Sequence, residues 1–229
     1  MPSQHPKYGD ATYMVFLVED VIFHIPNRLL KQSQFFREMI KETHTGLELE
    51  GKDNEHPVSL GGISAFEMTS FLDVTQSPLL EGNSELTFSQ WTAALHLATM
   101  WSFDGIQEKI IEQVDKTISA ADPLDRIDAS LKCRVEKWLH PAYVALCTRE
   151  TGLSDAEAER LGIRRSTAIW RVRESLYRPN PPVNPPANSP PSVPTPWGFP
   201  PAPVRVPNVI PSDAKALDLV KKEEALKFS

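Results

Sequence analysis

Residues 16–40 constrain this chain more than any other stretch. Two apolar runs, Val15 to Val18 and Val21 to Ile25, flank the pair Glu19-Asp20. β-Branched and aromatic runs around a two-residue polar turn predict a β-hairpin. Pro26 ends the second strand, because it has no N–H to give to a ladder. Leu29, Leu30, Phe36, Met39 and Ile40 then recur at helical spacing, with Ser33 just ahead of Phe35-Phe36. Hairpin followed at once by helix predicts a unit of the α+β class.

The same reasoning extends along the chain. Residues 1–11 are polar and are expected to be disordered. Lys41 to Glu55 reads as a charged loop, and Pro57 to Leu60 as a short strand. Three capping boxes mark helix starts: Ser64-Ala-Phe-Glu67, Thr87-Phe-Ser-Gln90 and Ser154-Asp-Ala-Glu157. Phe66, Phe71, Leu72 and Val74 carry the first of these helices. Phe88, Trp91, Ala94, Leu95 and Ala98 carry the second. Phe103, Ile106, Ile110, Val114 and Ile118 form a further stripe. Pro123 opens a helix at its first turn, expected to run to Trp138, and Pro141 starts the next. Gly162 suits a left-handed cap, with a last helix from about Ser166 to Leu176.

Proline sets the outer limit of the fold. Fourteen of the 21 prolines lie between Pro179 and Pro211, a composition that cannot pack a core. A Pro-x-x-Pro match at Pro200 to Arg205 arises easily in such a tract, and a spacer is the simpler reading. Residues 212–229 hold four acids and four lysines, and read as a short charged tail with a weak helix at most.

Charge and composition exclude several functions. Residues 1–148 hold 12 Lys/Arg against 21 Asp/Glu, a poor general surface for phosphate backbone. No apolar run is long enough to span a bilayer, so no membrane partner is expected. The N-terminus has no signal-peptide layout, and Cys133 and Cys147 sit in apolar helical patterns. Cytoplasm or nucleus is the expected compartment. No Gly-x-Ser-x-Gly, Gly-rich phosphate loop or His-Glu-x-x-His is present, so no catalysis and no small-molecule substrate are expected. Cys133, His140 and Cys147 match no common zinc spacing, and no metal or other cofactor is expected.

Several blocks, in order, resemble the BTB/POZ family, in particular the type abundant in mushroom-forming fungi. They are Val18-Glu19-Asp20, Phe23-His24-Ile25-Pro26, Ser33-Gln34-Phe35-Phe36 and Leu97 to Phe103. Val135 to Leu139 and Pro141-Ala142-Tyr143 resemble that family's helical extension. The resemblance implies a BTB/POZ domain over residues 12–120, a helical extension over 121–178, a Pro-rich linker over 179–211 and a tail over 212–229. It also implies a non-catalytic protein–protein interaction module that binds itself or another BTB-type chain. Tyr13, Val15, Leu17, Leu29 and Leu30 are the partner-binding residues it suggests, with strand exchange at an edge near Tyr13 to Val18. Pro26 stands where typical animal BTB domains have a His, and Tyr13 where they often have an Asp.

Two alternatives accompany this reading. Residues 153–176 resemble a helix-turn-helix, with Arg164, Arg165, Arg171 and Arg173 as candidate DNA contacts. Five acids dilute that patch over residues 149–178, and two further helices packed on the extension account for the same pattern. Nucleic acid is therefore the disfavoured partner. Some BTB proteins are adaptors for cullin-type ubiquitin ligases, but no separate substrate-recognition domain is visible here.

Overall fold

The computed structural model describes residues 13–42, 50–76, 86–177 and 212–227. The readings of residues 1–11, of the charged loop at 43–49 and of the Pro-rich tract at 179–211 fall outside those residues. The described chain is mixed α and β, mostly helical with one small sheet. It divides into two compact units, residues 1–135 and 136–229.

In the first unit, β1 (Tyr13–Val18) and β2 (Val21–Pro26) form the expected antiparallel hairpin, with Phe16 opposite Phe23 and Leu17 opposite Ile22. Glu19 takes a positive φ of 53° in the turn, a conformation uncommon outside glycine. Its carboxylate accepts the Ala65 N–H at 3.1 Å, so the turn also serves a helix start. The short β3 (Val58–Ser59) joins β1 in parallel, giving the strand order β2-β1-β3.

Helices follow: α1 (Asn27–Leu30), α2 (Gln34–Glu42), α3 (Ala65–Gln76), α4 (Phe88–Met100), α5 (Asp104–Thr117) and α6 (Pro123–Cys133). Ser33 explains the start of α2. Its Oγ accepts the Phe36 N–H at 3.0 Å, and its hydroxyl donates to the Trp101 carbonyl at the end of α4. The α4 helix ends in a Schellman turn. Ser102 is left-handed, and the Phe103 N–H donates to the Ala98 carbonyl at 2.9 Å. That turn delivers Trp101 and Phe103 into the core. Phe36 stacks edge-on to Phe16 and Trp101, and Phe71 meets both Trp101 and Phe103, with centroids 5.1–5.8 Å apart. The sequence blocks around Phe16, Ser33-Phe36 and Leu97-Phe103 therefore converge in one aromatic centre.

Two expectations change here. The helix from Pro123 stops at Cys133, because Arg134 turns left-handed (φ 57°, ψ 42°). Phe66 faces solvent, whereas Met68, Phe71 and Val74 carry the buried side of α3. All three capping boxes close as read, each pairing the backbone N–H of one box residue with the other's side chain.

In the second unit, α7 (Leu139–Thr148) is apolar nearly all round, and Leu139, Ala142, Tyr143, Leu146 and Cys147 are buried. A helix of that kind must be covered on more than one side. It packs against α8 (Asp155–Tyr177) and α9 (Asp213–Lys222). The α8 segment is two helices broken at Gly162, whose φ 76° and ψ 160° only glycine adopts without strain. The helix beyond the break starts directly after Gly162 rather than at Ser166. The tail read as a weak helix at most is α9. Its Ala216 and Val220, together with Leu226 in the turn that follows, are fully buried. Packing, rather than helix propensity, holds so short a helix.

Candidate functional site

The first candidate is the outward side of the hairpin. Strand β1 is central, not an edge. Beyond its pairing with β2, it bonds to β3 at Phe16 and Leu17, Val15 N–H donates to Gly51 O at 2.8 Å, and Leu60 N–H donates to Leu17 O at 2.9 Å. The edge expected at Tyr13 to Val18 is thus occupied. Val15, Leu29 and Leu30 are buried inside the unit, leaving Tyr13 (52 % exposed) and partly exposed Leu17 on its surface.

Among the described residues, the open edge is β2, hydrogen-bonded on one side only. It reads Val-Ile-Phe-His-Ile-Pro, yet only Ile25 is buried, and Val21 and Ile22 are 44 % and 43 % exposed. An apolar strand with one free row of N–H and C=O groups is a template for strand addition. The alternation puts Tyr13, Leu17, Ile22 and His24 on one face, with Leu17 opposite Ile22 and the Tyr13 and His24 rings 6.4 Å apart. His24 Nε2 lies 2.7 Å from Asn54 Oδ1, which fixes the ring. Reasoning from sequence missed β2 as the edge, although Pro26 was the signal, since proline in a strand belongs at an edge.

The second candidate is residues 153–176. Of the four arginines named as candidate DNA contacts, two have structural partners. Arg173 donates to the carbonyls of Leu146, Cys147 and Arg149 at 2.8–3.1 Å, capping the C-terminal end of α7. Arg171 pairs with Glu223 at 2.7 Å. Arg164 and Arg165 lie at the surface. Trp170 is 62 % exposed. With Leu153, Ala158, Thr167 and Arg173 it lines a shallow cleft of about 420 Å³. Glu157, gripped by Arg149 through two bonds of 2.6–2.7 Å and by the Ser154 N–H, is pulled down to a pKa of about 2.

A third cluster is polar and inside the first unit. Burial raises the pKa of Glu67, but bonds from Lys132 (2.6 Å), Ser64 (2.9 Å) and His96 (2.9 Å) outweigh it and bring the group to about 2. With the carboxylate ionised, the His96 Nδ1 facing it must carry the proton. The Ser64 hydroxyl also points at the carboxylate, so serine and histidine are both spent on Glu67 and neither addresses a cleft. This cluster ties α3, α4 and α6 together. Burial pushes the Cys133 and Cys147 thiols up to about 12 and 11, which leaves them un-ionised and inert near neutrality. Among the described residues, no three His, Cys, Asp or Glu side chains gather to hold a metal, and no helix is long and apolar enough to cross a membrane.

No protein-family model matches this chain, and neither a curated protein nor a solved structure matches it.

Proposed function

We propose that this chain is a protein–protein interaction module of BTB/POZ type that self-associates by adding β2 of one copy to β2 of another. The open, apolar, exposed β2 edge carries this reading. The hairpin, helix and parallel third strand, with the aromatic centre built from Ser33-Phe36 and Trp101-Phe103, support the family part of it.

Antiparallel addition of β2 to itself is isologous, so one patch serves both copies. Centred on Phe23, it sets Ile22 against His24 and Val21 against Ile25, so that each face of one hairpin continues the same face of the other. Tyr13, Leu17 and Ile22 would then extend as one apolar face across both hairpins. Six strand residues are a small contact against the roughly 1,200–2,000 Å² of a standard interface, so the association should reverse on dilution.

Light scattering of the full chain over a dilution series tests this. The wild type is expected to shift from monomer toward dimer mass as concentration rises, and Ile22→Glu to stay monomeric with unchanged circular dichroism. Equal dimerisation of Ile22→Glu and wild type would refute the β2 interface.

A further inference from the structure

The C-terminal helix α9 occupies its site on a long tether. Residues 178–211, 34 in number, separate the end of α8 from the start of Ser212. A stretch of that length spans up to on the order of 100 Å at about 3.1 Å per residue, several times a small domain's diameter. Such a tether does not dictate which copy of the protein receives the helix.

The helix itself is built as a docking ligand. Ser212 caps its start, Asp213 lies in the first turn, and Lys221 and Lys222 lie in the last, each sign matching the helix dipole. Ala216 and Val220, four residues apart, are wholly buried, and so is Leu226 in the following turn. Its packing partners in the unit are α7 and α8. Glu223 reaches Arg171 at 2.7 Å, a polar pair that fixes register beside the apolar contact. Helix-in-groove recognition elsewhere uses the same elements: two or three apolar anchors on one stripe and a charged pair at the rim.

We propose that α7 and α8 form a helix-accepting groove that takes the α9 of a second copy of this chain through the same contacts it makes with its own. The exchange is a domain swap. In the monomer, the tethered helix acts as an intramolecular competitor at high effective concentration. The inference is independent of the β2 interface, which lies in the other unit.

The test uses the full chain and a fluorescein-labelled peptide of residues 212–227. Val220→Asp in the full chain removes the cis anchor and opens the groove. Anisotropy should show saturable binding of the peptide to that variant and at least roughly tenfold weaker binding to wild type. A peptide carrying Val220→Asp should not bind. No binding to the folded Val220→Asp chain, or equal binding to variant and wild type, would overturn the proposal. A second variant guards against misfolding. Full-length Arg171→Glu, altered at an exposed position, should bind a peptide carrying Glu223→Arg more tightly than the native peptide. Absence of that preference would equally overturn it.

Discussion

Removing the charge of Glu67 should cost this protein a stability increment that depends on pH in a defined direction. Its side chain is 11 % exposed and accepts from Lys132, Ser64 and His96. Its pKa falls from 4.5 to about 2, which corresponds to about 3 kcal/mol at roughly 1.4 kcal/mol per unit. Lys132 is half exposed, so solvent screens its share and about 2–3 kcal/mol is the expected loss. Because the folded pKa is depressed, this stability is fully present above about pH 4.5 and disappears as pH falls through about 2. Glu67→Gln, nearly isosteric, removes it. Urea unfolding followed by tryptophan fluorescence should show the variant less stable by about 2–3 kcal/mol at pH 7, with the gap closing toward pH 2. A gap that is below about 1 kcal/mol at neutrality, or that does not narrow in acid, would refute the argument.

Other outcomes follow from the second unit and the thiols. Arg173→Ala strips the cap from the α7 carbonyls and should destabilise by about 1.5–3 kcal/mol, read by the same unfolding assay. Random duplex DNA should show no mobility shift at low salt, since Arg171 and Arg173 are held by Glu223 and by backbone carbonyls. Gly162→Ala forces a side chain onto φ 76°, ψ 160° and should cost about 1–3 kcal/mol, seen as a lowered thermal midpoint. Cys133 and Cys147 should resist a thiol reagent at pH 8 in the native protein and react promptly in denaturant.

Local chemistry was the legible part of this fold. The Glu19-Asp20 turn, the three capping boxes, Pro123 at a first helical turn and the Ile106-Ile110-Val114 stripe each act within a few residues, and each appears where its spacing put it. The break at Arg134 was hidden, because an arginine carries no mark of the left-handed conformation it adopts. Docking of α9 was hidden for the opposite reason. Ser212, Ala216 and Val220 are a visible pattern, but only the apolar circumference of α7 makes it worth burying. In the same way Phe66 reads as core by residue type, while the final packing leaves it outside. The candidate site was legible as a hairpin and misplaced by one strand. Periodicity finds strands, whereas the parallel partner that turns β1 into a central strand comes from residues some forty positions later.

Amide hydrogen exchange along β2 as a function of protein concentration tests the strand-addition account most directly. The amides of Val21 to Ile25 that do not bond to β1 should exchange fast in dilute protein and slow markedly as concentration rises, while those of β1 stay protected throughout. Exchange at those β2 amides that is fast and independent of concentration would contradict the account.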